Sequence, residues 1–110
     1  MPADAVTGAL TWSVLPLTGD VDLAAAPALR AELKASLDGS PSLVLDLSAL
    51  DFIDSTGLGA LVGALRRARS DGGDIRLAAL PAGIGRVFSV TGLDQVFRVF
   101  PTVEAATASA

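Results

Sequence analysis

Leu10, Trp12 and Val14 alternate with Thr11 and Ser13, the period of two expected of a half-buried strand. With Val6 and a Thr7-Gly8 turn ahead of it, segment 10–17 reads as the second arm of an N-terminal hairpin. Pro16 lacks the N–H that a ladder needs, which predicts a sheet edge or a bulge there. Gly19-Asp20-Val21-Asp22 reads as a loop. Over residues 24–37 the period lengthens: Leu29, Leu33 and Leu37 recur every four residues and Pro27 suits a first turn, so a helix is expected. Gly39-Ser40-Pro41 stops it. Residues 43–47 are almost continuously apolar, as in a strand covered on both faces. Residues 48–54 read as a loop carrying Phe52 and Ile53. A second helical period spans 56–69, with Leu58, Leu61, Val62 and Leu65 inward and Arg66, Arg67 and Arg69 in the last turn, where cations complement the helix dipole. Beyond the Asp71-Gly72-Gly73 stop, the pattern predicts a strand at 74–79. A helix at 81–90 is weakened by Gly83 and Gly85. A turn at Thr91-Gly92-Leu93 leads to an extended piece at 96–100. A short helix from 101 to 106 is capped by Thr102, and the tail 107–110 is expected to fray.

Strand–helix–strand repeats call for right-handed crossovers between parallel neighbours, while the N-terminal hairpin adds an antiparallel edge. The expected fold class is therefore α/β: one domain over residues 1–110, with a mixed sheet of four to five strands and about four helices. No repeat or linker divides the chain. In such a sheet the segments 19–22 and 48–55 both leave the C-terminal ends of parallel strands, where binding sites gather. Asp20, Asp22, Asp51, Asp54 and Ser55 are thus expected to be neighbours in space.

Composition narrows the chemistry. The chain has 110 residues, half of them apolar, and neither cysteine nor histidine. That excludes disulfides, thiolate metal sites, cysteine nucleophiles and serine–histidine triads. The net charge of −4 argues against nucleic acid, which wants a basic face. Charge is also uneven: residues 1–54 carry eight acids and two bases, net −6, and residues 55–110 carry four acids and six bases, net +2. An acidic patch at the junction would suit a basic partner. The first residues lack the basic and apolar regions of a signal peptide, and the longest apolar run, 57–65, is too short to span a bilayer. A soluble, cytoplasmic protein without direct membrane insertion is expected.

Three chemistries compete at the junction. Gly57, Gly59 and Gly63 imitate a dinucleotide fingerprint, but the third glycine is one residue late and the preceding turn is too long. Close packing of the helix on the sheet accounts for them as well. The aspartates could hold Mg²⁺ or form a carboxylate pair, yet no lysine, arginine or histidine lies nearby in sequence to complete an enzyme site. No catalytic residue, metal or cofactor is therefore assigned. Ser55 remains. It can cap the helix, but it lacks an elbow and a base for nucleophilic catalysis. As a phosphate acceptor it makes physical sense, since the helix start tolerates added negative charge while a closely packed partner would not.

Four segments then carry a family likeness: 19–29 (Gly19-Asp20-Val21-Asp22 onward), 43–48 (Leu43-Val44-Leu45-Asp46-Leu47-Ser48), 52–58 (Phe52-Ile53-Asp54-Ser55-Thr56-Gly57-Leu58) and 91–94 (Thr91-Gly92-Leu93-Asp94). Their order and spacing resemble STAS domains, and the chain is similar to single-domain bacterial anti-sigma factor antagonists. The resemblance implies that an anti-sigma factor, itself an ATP-dependent serine kinase, phosphorylates Ser55. It implies that the unphosphorylated chain binds that kinase and frees the sigma factor, that the phosphorylated form cannot bind, and that a serine/threonine phosphatase restores the unphosphorylated form. Asp54 and Thr56 are expected to position the serine, Gly57 to permit close approach of the partner, and Asp20 and Asp22 to touch it. Gly83 and Gly85 depart from the family pattern, and the first strand is short. A STAS-like scaffold docked on a membrane transporter is the alternative that the resemblance allows.

Overall fold

The computed structural model describes residues 11–108. Strands β1 (Ser13–Val21), β2 (Ser42–Ile53), β3 (Asp74–Ala78) and β4 (Arg98–Phe100) form one sheet in that spatial order, and every pairing among the described residues is parallel. Helices α1 (Ala26–Gly39), α2 (Ser55–Ser70) and α3 (Ala82–Val90), the last followed by a 3₁₀ turn at Leu93–Gln95, link the strands. A five-residue helix α4 (Val103–Thr107) ends the described chain. The α/β class, the four strands and the four helices agree with the sequence reading. The antiparallel hairpin expected from Val6 and Thr7-Gly8 lies outside the described residues.

The two faces of the sheet are unequal. Leu43, Leu45 and Leu47 of β2 and Ile75 and Leu77 of β3 point into the main core, where Leu29, Leu33 and Leu37 of α1 and Leu58, Leu61 and Leu65 of α2 cover them. Val44 and Ala78 point the other way, into a small cluster with Ala106 of α4, Trp12, Phe100 and Val103. Double coverage explains why β2 begins as an unbroken apolar run. Arg76 sits on this second face and is 2 % exposed. Its guanidinium lies 4.0 Å from the Trp12 ring centroid and 5.1 Å from that of Phe100, and its Nη1 donates to the Ala106 carbonyl at 2.8 Å. Burial, followed by the nearby Arg98 charge, lowers its pKa.

Three expectations need correction. First, the N-terminal alternation has a different phase. The residues of β1 that reach the main core are Leu15, Leu17 and Val21, whereas Val14 is 45 % exposed. Among the described residues only short α4 covers the second face and β1 is the outermost strand, so Val14 stays wet. Second, Gly19–Val21 is not a loop but the end of β1. Third, residues 48–53 are not a loop but the second half of β2. Its burial there falls on every third residue, Leu47, Leu50 and Ile53. The pairing explains this rhythm: between Asp46 and Ala49, and again between Leu50 and Phe52, β2 advances one residue more than β1. Each extra residue is a bulge, and each bulge resets the alternation. Pro16 borders the first of these shifts, as its missing N–H led one to expect.

Gly57 anchors the helix that follows. A Cβ placed there would lie 2.6 Å from Val21 Cγ1, 2.7 Å from the Val21 carbonyl oxygen and 2.9 Å from Ile53 Cγ1. Gly59, one half-turn on, has open space beside it. The two positions should therefore respond in opposite directions to the same substitution. Gly57→Ala is expected to cost about 2 kcal/mol through overpacking against backbone. Gly59→Ala is expected to add up to about 1 kcal/mol through helix propensity. Urea unfolding of both variants checks this, and destabilisation by Gly59→Ala would contradict it.

Candidate functional site

The site forms where β1 and β2 end side by side. Asp20 pairs with Phe52 and Val21 with Ile53, and the backbone N–H of Asp54 donates to the Val21 carbonyl at 3.1 Å. The segments expected to meet at one end of the sheet do meet there, as the last rungs of a ladder.

Asp54 then starts α2. Its backbone is extended, and its Oδ1 accepts from the N–H of Thr56 at 2.9 Å and of Gly57 at 3.0 Å. Its carbonyl accepts the first helical bond, from Leu58 N–H at 2.9 Å. Asp54 is thus the cap, and the expectation that Ser55 caps the helix is corrected. A carboxylate in an extended residue reaches the N–H groups two and three positions on, whereas Ser55 already has helical placement and is exposed. Its hydroxyl is left to solvent at the head of a fixed helix.

The other expected site residues divide clearly. Asp20 is exposed at the edge of β1. Asp22 is half-buried and structural in part: its Oδ1 and its carbonyl both accept from Ala25 N–H, at 3.0 and 3.1 Å, in the turn that starts α1. Thr56 is half-buried with its N–H taken by Asp54. Gly57 is buried, and the surface that its missing Cβ lets approach is Val21 of its own chain. Asp51 is exposed beside Ser55 in sequence space, turned outward by the second bulge together with Phe52.

Two residues join the site that the sequence reading did not assign. Phe52 is 49 % exposed and Leu23 is 72 % exposed. Each directly follows an aspartate, Asp51 or Asp22, and that acid–hydrophobe pairing was the available signal. The surface around Ser55 therefore combines apolar anchors with carboxylates. Among the described residues no cluster of three or more acids has metal-ligand geometry, and no helix is long and apolar enough to cross a membrane.

The roles assigned to Asp54 and Ser55 separate in stability. Asp54→Ala should cost about 1–2 kcal/mol by stripping two N–H groups of their acceptor, with Asp54→Asn recovering most of it. Ser55→Ala should stay within about 0.5 kcal/mol of the parent, as expected of an exposed position. Urea midpoints for the three variants decide the matter; a Ser55→Ala loss as large as that of Asp54→Ala would return the cap to Ser55.

Known proteins bear the same stamp. A family model for the STAS domain matches residues 3–106. An anti-sigma-B factor antagonist of Bacillus subtilis (strain 168) is 31 % identical over 83 residues, which is 76 % of each chain. The crystal structure of an anti-sigma factor antagonist from Mycobacterium paratuberculosis superimposes with a TM-score of 0.79 at 34 % identity, covering 88 % of this chain and 83 % of that one. A sulfate transporter family protein from Wolinella succinogenes superimposes with a TM-score of 0.76 over 88 % of this chain and 82 % of that one, but at 19 % identity, a likeness of fold alone. Four matching segments, one parallel sheet and a capped Asp-Ser-Thr-Gly helix start thus lead to one assignment: the chain belongs to the STAS domain family.

Proposed function

We propose that this chain is an anti-sigma factor antagonist that works as a phosphorylation switch. It binds a partner and does not catalyse. The observation that carries the reading is the placement of Ser55: exposed, first in its helix, and held there by a cap that does not use the serine itself.

In this reading the unphosphorylated chain presents Leu23 and Phe52 to an anti-sigma factor, with Asp20, Asp22, Asp51 and Asp54 facing basic groups on it. The sigma factor is thereby released. The anti-sigma factor is also a serine kinase. The Ser55 oxygen attacks the γ-phosphorus of ATP bound to the kinase, the bond to the bridging oxygen breaks, ADP leaves, and the serine proton passes to a base on the kinase. A serine/threonine phosphatase reverses the state by hydrolysis. Such reactions belong in the cytoplasm.

The geometry supports repulsion as the means of switching. Asp54 already occupies the N–H groups of Thr56 and Gly57. A phosphate on Ser55 would find those donors taken and would add about −1.5 to −2 charges to an acidic surround. It would stand outward, where a partner must desolvate it. The fold keeps its cap and its packing in both states. Docking on a membrane transporter, the other role open to this family, draws only on likeness of fold, whereas the Bacillus subtilis and Mycobacterium paratuberculosis relatives, each above 30 % identity, bear the antagonist name.

Titration of the purified anti-sigma factor kinase, first captured on Ser55→Ala and identified by ATP-dependent serine kinase activity, tests the switch. Ser55→Ala should bind within about threefold of the parent. Ser55→Asp should lose at least a factor of about ten, or about 1.4 kcal/mol. Equal binding by Ser55→Ala and Ser55→Asp would overturn the proposal.

A further inference from the structure

Helices α1 and α2 both start at the Ser55 end of the sheet and run side by side away from it. Between them lies a groove of about 360 Å³. Its floor is Leu33 and Leu37 of α1 with Ala60 and Ala64 of α2, and its rim carries Arg30, Lys34 and Arg67. The groove exists because α2 offers no bulk: Gly63 lines it, and a Cβ at Gly63 would meet nothing within 4 Å. Gly59, a turn nearer Ser55, is likewise exposed and open. Each interior helical glycine costs about 1 kcal/mol against alanine. Gly57 has a packing reason inside the chain; Gly59 and Gly63 have none.

The two ends of the groove differ. At the far end Asp38 ties the helices together, accepting from Lys34 Nζ at 3.0 Å and from Arg67 Nη2 at 2.6 Å, while Arg67 Nε reaches Asp71 at 3.3 Å. The Arg67 hydrogen bond, followed by that of Lys34, holds the Asp38 carboxyl below its ordinary range. At the near end Arg30 stands exposed and makes no ion pair among the described residues. The result is a slot closed by an ion-pair bridge at one end and open toward Ser55, with a free cation at its mouth.

Size requires a surface of this kind. A specific interface takes about 20–30 residues a side. The acidic end with Leu23, Phe52 and Ser55 supplies well under half of that. The groove adjoins it, since Ser55 and Gly59 lie one turn apart on α2, about 6 Å along the axis. With Lys34 and Arg67 paired to Asp38 and Asp71, the charge it has in excess is that of Arg30, opposite in sign to the acidic end.

We infer that the α1–α2 groove receives a short amphipathic helix of the same partner that binds at Ser55, apolar toward Leu33, Leu37, Ala60 and Ala64 and carrying a carboxylate to Arg30. This rests on the reading of Ser55 as a partner contact. From Arg30 to Leu37 the slot is about 10 Å long, room for two turns of helix with anchors at i, i+3 or i+4, and i+7. The partner is then bipolar, basic over the acidic end and acidic at the groove mouth, and the two charges set its orientation on the chain.

Gly63→Leu and Arg30→Glu test the inference, with Ser55→Asp as reference and the purified kinase as probe. Gly63→Leu fills the slot without touching the fold, so its thermal midpoint should equal or exceed that of the parent. The affinity of Gly63→Leu should fall at least tenfold, and that of Arg30→Glu about fivefold to tenfold, more steeply at low salt. Groove variants that bind within twofold of the parent, while Ser55→Asp still loses binding, overturn the groove and leave the switch standing. Groove variants that lose binding while Ser55→Asp does not support the groove and remove the switch.

Discussion

Val21 and Gly57 touch so closely that neither can move alone. The Val21 side chain and carbonyl fill the space where any other residue at 57 would put its Cβ, and the same carbonyl accepts the N–H of Asp54. The end of β1, the end of β2 and the first turn of α2 are therefore one rigid unit. Everything at the functional end follows from it. The cap on Asp54 has its geometry because the chain leaves the ladder there. Ser55 is exposed because it comes one residue after the cap, and Phe52 and Asp51 are turned outward because β2 must bulge to bring Ile53 level with Val21.

A rigid junction suits a switch made by charge. Where a phosphate must melt or order a segment, part of its free energy goes into that change. Here the helix start is already satisfied by Asp54, so the whole effect of a phosphate on Ser55 would fall on whatever packs against the surface. The acidic residues around Ser55 act in the same direction, since each raises the cost of bringing another anion beneath a partner. Five of the eight basic residues lie away from that end on α1 and α2, Arg30 and Lys34 on the first helix and Arg66, Arg67 and Arg69 on the second.

Much of this was legible in the sequence. The four-residue spacing of Leu29, Leu33 and Leu37 located α1 to within two residues, and the apolar run at 43–47 marked a doubly covered strand. The Asp-Ser-Thr-Gly segment located the helix start and its serine. What failed to show were features that depend on pairing. A strand with two bulges buries every third residue, a period that belongs to neither helix nor alternating strand, so the second half of β2 looked like a loop. Which of two adjacent polar residues caps the helix depends on where the backbone turns from extended to helical, and Asp54 and Ser55 are equally good by type. The burial of Arg76 left no local sign in the sequence, because the aromatic rings that enclose it lie 64 and 24 positions away in the chain. Gly57 and Gly59 also look alike until the position of Val21 is known.

The central claim is that Ser55, and no neighbouring hydroxyl, carries the phosphate. Intact mass of the protein purified from its own cells, followed by fragmentation across residues 52–61, tests it most directly. The account predicts a fraction of molecules heavier by one phosphoryl group, with the fragments assigning it to Ser55 and leaving Thr56 bare. Phosphate on Thr56 with Ser55 unmodified, or no phosphate at all during growth, starvation and stress, would contradict it.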